Sequence, residues 1–335
     1  MVRLGVIGSG AVVQRIHWPV LQQMSRQIRI VAVSSKHLSN ARAFATKVGS
    51  ARVYDDYHSL LQDPTVEAVL TAVPIDLNGA VLIDAVRAGK HVMAEKPICA
   101  TPREGKRVLS ECSKVQRVVA VGENFRYRRD ILKAKQLIAA GKIGTVFTFQ
   151  LNVKFDLDSE ARRVWITRGW RKHPGHPGGF LLDAGVHPVA ALREILGEVN
   201  EVCARVTGLS RVLKGADSLL MQLKLSSGAA GQCFFCYTAK EEKEIGLDFV
   251  VYGTKGAVRI ADGTVTLTRG VGIPPRVYKD RQFDRGYPAQ WRNFCSAIAG
   301  QESIIATPEK AYGDLVVIDA ALRSAKSGRN VRVES

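Results

Sequence analysis

The chain begins with a short apolar run that ends at two closely spaced glycines. Residues 4–7 have the composition of a buried strand, and Gly8 and Gly10 follow in a G-x-G pattern before a segment that can be helical. This order suits a dinucleotide pyrophosphate, because one glycine permits the tight turn and the other lets the backbone approach the phosphates. We expect Ala11 and Val12, at the start of the helix, to complete this site, since free N–H groups there attract negative charge.

The third position of this glycine fingerprint departs from the usual pattern. Gly or Ala normally occupies it, and this chain has Val13. Because the position packs the helix against the strand, a β-branched side chain predicts a wider spacing between the two. A lone G-x-G is also compatible with a plain structural turn, and that alternative stays open on the pattern alone.

The end of the second predicted strand, at residues 28–33, bears on the choice of nucleotide. An Asp or Glu there would accept a hydrogen bond from the ribose 2′-hydroxyl and repel a 2′-phosphate. Ser35 and Lys36 follow the strand instead, and no acid occurs before Asp55. Hydroxyls and a cation suit a phosphate dianion, so we expect NADP(H) rather than NAD(H), with Arg15 as a further candidate contact. The alternative is a polar turn without this role.

The two halves of the 335-residue chain differ in their predicted elements. Residues 1–123 alternate strand-like and helix-like segments with short connections, which predicts an α/β domain with a parallel sheet. Residues 124–335 contain consecutive strand-like segments separated by turns such as Asp262-Gly263, which predicts a second domain with a largely antiparallel sheet. Two closing helices are predicted near residues 290–299 and 308–327, and their packing against the first domain stays open.

The composition argues against several classes of protein. No apolar run approaches the ~18 residues of a membrane span, and the residues before the first strand do not resemble a signal peptide. The six cysteines are few for this length and fit a reducing compartment. Cys233 and Cys236 form a C-x-x-C, but no second pair and no His pair at zinc spacing accompany it. We therefore expect a cytoplasmic protein without a metal site.

The charge is strongly basic, with 48 Lys and Arg against 31 Asp and Glu and a net charge of +17. Such a balance can mark a nucleic-acid-binding protein. The basic residues are not concentrated in a tail, although a local run occurs at residues 126–129. A basic surface, or a funnel for an anionic cofactor and substrate, is therefore the favoured interpretation.

Several motifs occur in an order that resembles one family of oxidoreductases. They are Gly8-Ser9-Gly10, Ala88-Gly89-Lys90-His91-Val92 leading into Glu95-Lys96-Pro97, Asn124-Phe125-Arg126-Tyr127, Gly141-Lys142-Ile143-Gly144, the Asp-x-Gly-x-His element within Gly178-Gly179-Phe180-Leu181-Leu182-Asp183-Ala184-Gly185-Val186-His187-Pro188, and Gly253-Thr254-Lys255-Gly256. Together they resemble the glucose-fructose oxidoreductase, inositol dehydrogenase and rhizopine-catabolism (Gfo/Idh/MocA) family.

The resemblance implies a fold, an activity and a partner. It implies a Rossmann domain followed by an α/β domain with a large open sheet, which often forms the interface of a homodimer or homotetramer. It implies NAD(P)-dependent oxidation or reduction of a sugar, polyol or related cyclic compound without a metal. Many members carry Thr-Pro-Asn and then a His after the fourth strand. Here Val73 and Pro74 occupy this region and Asn78 takes the place of the usual His, and we expect these residues to contact the cofactor near the nicotinamide ribose.

Hydride transfer to or from a carbinol carbon needs a group that moves the hydroxyl proton. A histidine suits this task because its pKa lies near neutrality, and His187 is the candidate. Asp183 lies four residues earlier, on the same face if the segment is helical, and could orient the imidazole. The alternative is that Asp183 caps a helix and His187 is a packed surface residue.

Lys96 follows a predicted parallel strand, at the edge where ligands of such sheets bind. Its ammonium could donate to the reacting oxygen and lower the pKa of the hydroxyl, or act in the proton relay. Glu95 could be its ion partner or contact the cofactor ribose. Pro97 makes a cis peptide affordable. A surface lysine is the alternative.

The candidates for substrate contacts come from the second half of the chain. Arginines suit oxygens or an acidic substituent, and aromatic faces suit sugar rings, although the aromatics could equally belong to the core. The candidates are Arg126, Tyr127, Trp165, Trp170, Arg171, His176, Asp183 and His187.

These observations predict an NADP(H)-dependent oxidoreductase of sugar-like carbonyl or hydroxyl compounds with a Lys96 and His187 proton relay. One alternative is a redox-neutral enzyme that retains its nucleotide, as in glycoside cleavage. The other is a non-catalytic NADP-binding regulator.

Overall fold

The structure is a computed structural model that describes residues 1–49, 51–159, 169–240 and 244–334. The chain divides into two compact units. The first contains Met1–Asn124 and Tyr287–Tyr312, and the second contains Phe125–Gly286 and Gly313–Ser335. The first of the predicted closing helices thus belongs to the first unit.

The helices and strands of the amino-terminal part alternate along the chain. They are β1 (Val2–Ile7), α1 (Trp18–Gln23), β2 (Ile28–Ser34), α2 (Leu38–Lys47), β3 (Arg52–Tyr54), α3 (Tyr57–Gln62), β4 (Ala68–Thr71), α4 (Ile75–Arg87), β5 (His91–Ala94), α5 (Pro102–Cys112) and β6 (Val119–Val121).

The remaining elements are mostly strands. They are α6 (Arg129–Ala139), β7 (Val146–Lys154), α7 (Gly179–Leu196), β8 (Val199–Thr207), β9 (Ser218–Leu225), β10 (Ala230–Cys236), β11 (Ile245–Gly253), β12 (Gly256–Ala261), β13 (Thr264–Thr268), β14 (Arg276–Lys279), α8 (Tyr287–Ile298), α9 (Pro308–Ser327) and β15 (Val331–Arg332). Short 3₁₀ turns occur at Asn124–Tyr127 and Gly169–Arg171.

In the first unit, the described residues form a sheet of six parallel strands. Their order is β3-β2-β1-β4-β5-β6. The chain starts at the centre with β1, moves outward through β2 and β3, and returns to the other side of β1 with β4. In doubly wound sheets, ligands bind at the carboxyl ends of the strands where this reversal occurs. The predicted parallel sheet is confirmed.

The burial of the central strands explains why the amino-terminal run is apolar without a break. The last four residues of β1 and all of β4 are buried. Strands of a parallel sheet are covered on both faces, so they read as continuous hydrophobic runs. Leu4, Val6 and Leu70 join Trp291 and Phe294 of α8 in one hydrophobic cluster. Helix α8 therefore helps to bury the sheet whose loops carry the nucleotide motif.

In the second unit, the described strands form a nine-stranded sheet in the order β14-β13-β12-β11-β7-β10-β9-β8-β15. Every pair is antiparallel except β7 with β10. Buried and exposed residues alternate along β9, as expected for a sheet with one covered face. The turn between β12 and β13 places Asp262 and Gly263 at positive φ, which matches a two-residue hairpin. The predicted, largely antiparallel sheet is confirmed.

Two further predictions concern membranes and cysteines. Among the described residues, no helix has both the length and the apolar character needed to cross a membrane. All six cysteines are free thiols.

Candidate nucleotide and substrate sites

The glycine turn after β1 has the geometry that its sequence predicts. Gly8 has a φ of +92°, and a Cβ added there would lie 2.3 Å from the Ala72 carbonyl oxygen. Any other residue would be strained and would also clash with the backbone. No described heavy atom lies within 4 Å of a Cβ added to Gly10. Gly10 and Ala11 are exposed, so a ligand can reach the backbone here.

The helix after the glycine turn begins with an unusual turn. Ala11 and Val12 are α-helical, but Val13–His17 forms a π-helical segment before α1. Val13 is fully buried in the core of the first unit. The π-helical turn begins at Val13, and the wider spacing between helix and strand stays a prediction. Single π-helical turns inside α-helices are frequent at functional sites.

The end of β2 presents the predicted polar residues. Ser34 is the last residue of the strand, and its carbonyl oxygen accepts a hydrogen bond of 2.8 Å from the Gly8 N–H. Ser35 is half-buried and Lys36 is exposed. Arg15 is exposed on the π-helical turn. Contacts from these side chains to a 2′-phosphate stay a prediction.

Asn78, in α4, holds the segment that follows β5 by hydrogen bonds. This buried side chain donates to the carbonyl oxygens of Glu95 and Pro97, the latter at 2.8 Å, and accepts from the Thr71 hydroxyl at 3.3 Å. Both amide hydrogens are therefore used within the protein, and Asn78 orients the backbone on both sides of Lys96. The contact of Asn78 to the nicotinamide ribose stays a prediction. Val73 and Pro74 are half-buried in the loop after β4.

Glu95 and Lys96 are half-buried directly after β5, and the Lys96–Pro97 peptide is cis. One Glu95 oxygen lies 2.7 Å from His17 Nε2, and the other accepts from the Lys96 backbone N–H at 3.1 Å. The Trp291 indole N–H donates to His17 Nδ1 at 3.0 Å. Sequence reasoning missed His17 and Trp291, since neither belongs to a motif of recognisable spacing.

The second unit brings three of the predicted substrate residues together at α7. The Arg171 Nε donates to a carboxylate oxygen of the buried Asp183 at 2.6 Å. The guanidinium carbon of Arg171 also lies 4.4 Å from the centre of the Trp170 ring. This contact holds Arg171 between an acid and an aromatic face.

Tyr237 is a residue of this region that sequence reasoning did not single out. Its ring packs edge-on against Phe180 and tilted against Phe155. Burial raises the pKa of the Tyr237 phenol above its ordinary value, and the charge of Asp183 adds to the rise. Tyr237 is therefore a neutral hydroxyl group at physiological pH.

His187 is half-buried on α7 and has an aromatic neighbour. Its ring stacks on Phe125, with 4.9 Å between the centres and 22° between the planes. The Arg128 guanidinium lies 4.5 Å from the same Phe125 ring, and the Asp130 carboxylate holds that guanidinium through two hydrogen bonds. The role of Asp183 in orienting His187 stays a prediction.

Arg126 and Tyr127 do not fit the predicted role of substrate residues. Arg126 is 2 % exposed, and its guanidinium bonds to Glu194 at 2.9 Å and to both oxygens of Asp314 at 2.7 Å. Because carboxylates of the protein balance its charge, it is a structural cation. Tyr127 is a core residue, which is the alternative that the sequence left open.

Two further candidates for substrate contacts are His176 and Trp165. His176 is buried and lines a pocket with Pro174 and Lys214. Trp165 lies outside the described residues.

Comparison with known proteins identifies both halves of the chain. The profile of the oxidoreductase family with an NAD-binding Rossmann fold (GFO_IDH_MocA) matches residues 2–123, and that of its C-terminal alpha/beta domain matches residues 135–333. The uncharacterized protein YMR315W of Saccharomyces cerevisiae is 30% identical to this chain, and the match covers 99% of this chain and 98% of the yeast protein. The myo-inositol 2-dehydrogenase of Thermotoga maritima is 26% identical, over 99% of this chain and 98% of its own.

A crystal structure of similar fold matches almost the whole chain. An oxidoreductase from Thermotoga maritima has a TM-score of 0.90 and 34% identity, covering 99% of this chain and 98% of its own. The two family profiles together match most of the chain. The chain therefore belongs to the Gfo/Idh/MocA family, whose members bind a nicotinamide nucleotide and act as oxidoreductases on CH–OH groups.

Proposed function

We propose that this chain transfers a hydride between NADP(H) and a CH–OH or carbonyl group of a sugar, polyol or related cyclic compound. The observation that carries the proposal is the set of residues at the carboxyl ends of neighbouring strands in the first unit. Gly8 and Gly10 follow β1, Ser35 and Lys36 follow β2, and Lys96 follows β5. This is the edge where dinucleotides bind in doubly wound sheets.

The preference for NADP(H) rests on this chain's own residues. A 2′-phosphate is a dianion, and a hydroxyl and an ammonium are suitable partners for it. An acid at the end of β2 would repel it, and the first acid after that strand is Asp55. Lys36 is exposed at the surface, where its ammonium can approach a phosphate.

Lys96 and His187 are proposed to handle the proton of the reacting hydroxyl. The bound nicotinamide accepts or supplies the hydride at its C4 position. In the oxidation direction, the Lys96 ammonium donates a hydrogen bond to the substrate oxygen and stabilises the negative charge that develops there. His187 takes the hydroxyl proton as the C–O bond becomes a carbonyl, and returns it in reduction. In oxidation, the hydride carries the electron pair to the nicotinamide and the proton goes to His187.

The substrate class follows from the side chains of α7 and its neighbours. Asp183 and Arg171 offer an acceptor and donors for hydroxyl groups, and the Trp170 face suits the apolar face of a ring. The name of the Thermotoga maritima relative, a myo-inositol 2-dehydrogenase, supports a cyclic polyol or sugar. We expect oxidation of such compounds when they are screened with NADP⁺.

We also expect a homodimer or homotetramer formed through the outward face of the second unit's sheet. Leu220 and Tyr252 are exposed on this face, and Phe234 lies directly opposite Leu220 in the strand pairing. Exposed apolar side chains of this kind are typical of protein interfaces. Analytical ultracentrifugation of the purified protein measures the assembly, and a monomer at micromolar concentration would contradict this expectation.

Calorimetric titration with NADPH and NADH tests the cofactor proposal. We expect wild type to prefer NADPH, and Lys36→Glu to weaken NADPH binding about tenfold or more, since a charge-assisted hydrogen bond contributes about 1.5–3 kcal/mol. NADH binding should change little. Lys47→Glu is the matched control, because Lys47 is exposed at the end of α2 and the charge change is the same. A preference of wild type for NADH would overturn the NADP(H) assignment.

A further inference from the structure

His17 is an unusual residue in the core of the first unit because both of its ring nitrogens have partners. The ring is 0 % exposed, and the Trp291 and Tyr287 rings meet it edge-on. The Trp291 indole nitrogen lies 3.0 Å from His17 Nδ1, and a Glu95 oxygen lies 2.7 Å from His17 Nε2. Three side chains from distant parts of the sequence thus form one continuous chain of hydrogen bonds.

The direction of these hydrogen bonds follows from the chemistry of the indole. An indole N–H can only donate, so His17 Nδ1 must accept and carries no hydrogen. The ring proton therefore lies on Nε2, which donates to the Glu95 carboxylate. A doubly protonated ring would point an N–H at the Trp291 N–H. The network accordingly runs from Trp291 through a neutral His17 to Glu95.

Glu95 connects this network to the segment that carries Lys96. Its second carboxylate oxygen accepts from the Lys96 backbone N–H at 3.1 Å. Asn78 binds the carbonyl groups of Glu95 and Pro97, which flank Lys96 on both sides. Supporting hydrogen bonds of this kind fix the orientation of functional groups. The backbone at Lys96 is therefore held from α4 by Asn78 and from α8 by Trp291, acting through His17.

We propose that His17 and Trp291 are positioning residues that hold the Glu95 carboxylate in one orientation and, through it, the segment that presents Lys96. This inference rests on the proposed role of Lys96 in the reaction. It differs from a purely structural role, because the effect of His17 and Trp291 on turnover must then pass through the Glu95 carboxylate. The two roles make different predictions for combined substitutions.

The first test removes the indole donor and keeps an aromatic ring. We expect Trp291→Phe to lower kcat at least tenfold, with less than a threefold change in the KM of the sugar or polyol substrate. Trp18→Phe is the matched control, because Trp18 packs edge-on against Phe44 and takes no part in the network. This control should change kcat less than twofold. Equal losses of kcat in both variants would overturn the proposal.

The second test is a double-mutant cycle with Glu95→Gln. If Trp291 acts through the Glu95 carboxylate, Trp291→Phe should lower kcat no more than about twofold further in the Glu95→Gln protein. Independent effects multiply, since substitutions without a shared partner are additive in free energy. The same four proteins can be compared by their affinity for NADPH, which calorimetry measures without any turnover of substrate. A multiplicative loss in both measurements would show that the network is only part of the packing.

The third test reads the network directly in the wild-type protein. The ¹⁵N chemical shifts of a labelled histidine ring distinguish protonated from unprotonated nitrogens. We expect His17 to be protonated at Nε2 and unprotonated at Nδ1, and to lose this single tautomer in Trp291→Phe. The tautomer of His17 does not depend on the role of Lys96 in the reaction. It can therefore be measured even if Lys96 proves not to be catalytic. A hydrogen on Nδ1 in wild type would overturn the proposal.

Discussion

Two segments that carry family motifs differ in the partners of their charged side chains. After β5, the Glu95 carboxylate is half-buried and receives hydrogen bonds from His17 and from the Lys96 backbone. In residues 124–127, by contrast, the Arg126 guanidinium is buried and bonded to carboxylates. Both segments resemble family motifs, and both would be read as functional from the sequence.

The difference lies in the charge of the partners. The donors described at Glu95 are the His17 ring and the Lys96 backbone N–H, and they orient the carboxylate. A carboxylate partner orients Arg126 but also neutralises it, which removes the cation as a binding group for an anionic substrate. We therefore expect Arg126 to act mainly in stability and the segment after β5 to act in turnover. Substitutions in the two segments should accordingly affect different properties.

The largest expected effect is on turnover and comes from the segment after β5. Lys96→Met keeps most of the aliphatic stem and removes the ammonium. We expect kcat to fall by about 10³–10⁴, or about 4–5.5 kcal/mol, since electrostatic and acid–base contributions of a single group reach this size. NADPH affinity should change less than threefold, which calorimetry measures.

A matched control separates the role of Lys96 from a general loss of positive charge. Lys106→Met removes an exposed lysine from α5, and we expect wild-type turnover in this variant. His187→Ala should also lose turnover by orders of magnitude. Normal turnover in Lys96→Met would remove this residue from the mechanism and would weaken the contrast between the two segments.

The next largest effect is on stability and comes from the partners of Arg126. Asp314→Asn leaves the buried Arg126 and Arg193 guanidinium groups facing a neutral amide. We expect the free energy of unfolding to fall by about 3 kcal/mol, the lower part of the range for breaking a buried ion pair. Urea denaturation followed by circular dichroism measures this change, and kcat per folded molecule should stay within threefold of wild type.

An exposed ion pair on the same helix provides the control. Asp319 accepts from Arg323 at 2.9 Å on the surface of α9, and Asp319→Asn should cost about 0.5 kcal/mol or less. Equal costs for Asp314→Asn and Asp319→Asn would mean that burial does not decide the value of the ion pair. A loss of kcat in Asp314→Asn without a loss of stability would indicate that Arg126 does contribute to the substrate site.

The sequence predicted those features that depend on neighbouring residues. Gly8 was predictable because the turn after a buried strand requires its backbone freedom, and the burial of β1 was predictable from its unbroken apolar run. The partners of Arg126 were not, because Glu194 and Asp314 lie 68 and 188 residues away along the chain. The same holds for His17, whose donor Trp291 is 274 residues away. Local patterns report which residues are charged, whereas the distant partners decide whether that charge is neutralised.

The smallest expected effect tests whether neutral contacts also orient the proposed catalytic group of the second unit. Phe125→Leu removes the ring that stacks on His187, and an aromatic pair contributes about 0.5–1.5 kcal/mol. We therefore expect kcat to fall about threefold to tenfold, with little change in the substrate KM. Phe125→Tyr keeps the ring and should retain turnover within twofold of wild type.

Phe283 makes it possible to separate the His187 contact from the Arg128 contact of the same ring. The Arg128 guanidinium lies 4.9 Å from the Phe283 ring and 4.5 Å from the Phe125 ring. Phe283→Leu should therefore weaken a cation–π contact of Arg128 while kcat stays within twofold of wild type. If Phe283→Leu and Phe125→Leu lower kcat equally, the effect passes through Arg128 rather than through the stack on His187. If only Phe125→Leu lowers it, the aromatic face of Phe125 orients His187, just as we propose that the His17 ring orients Glu95.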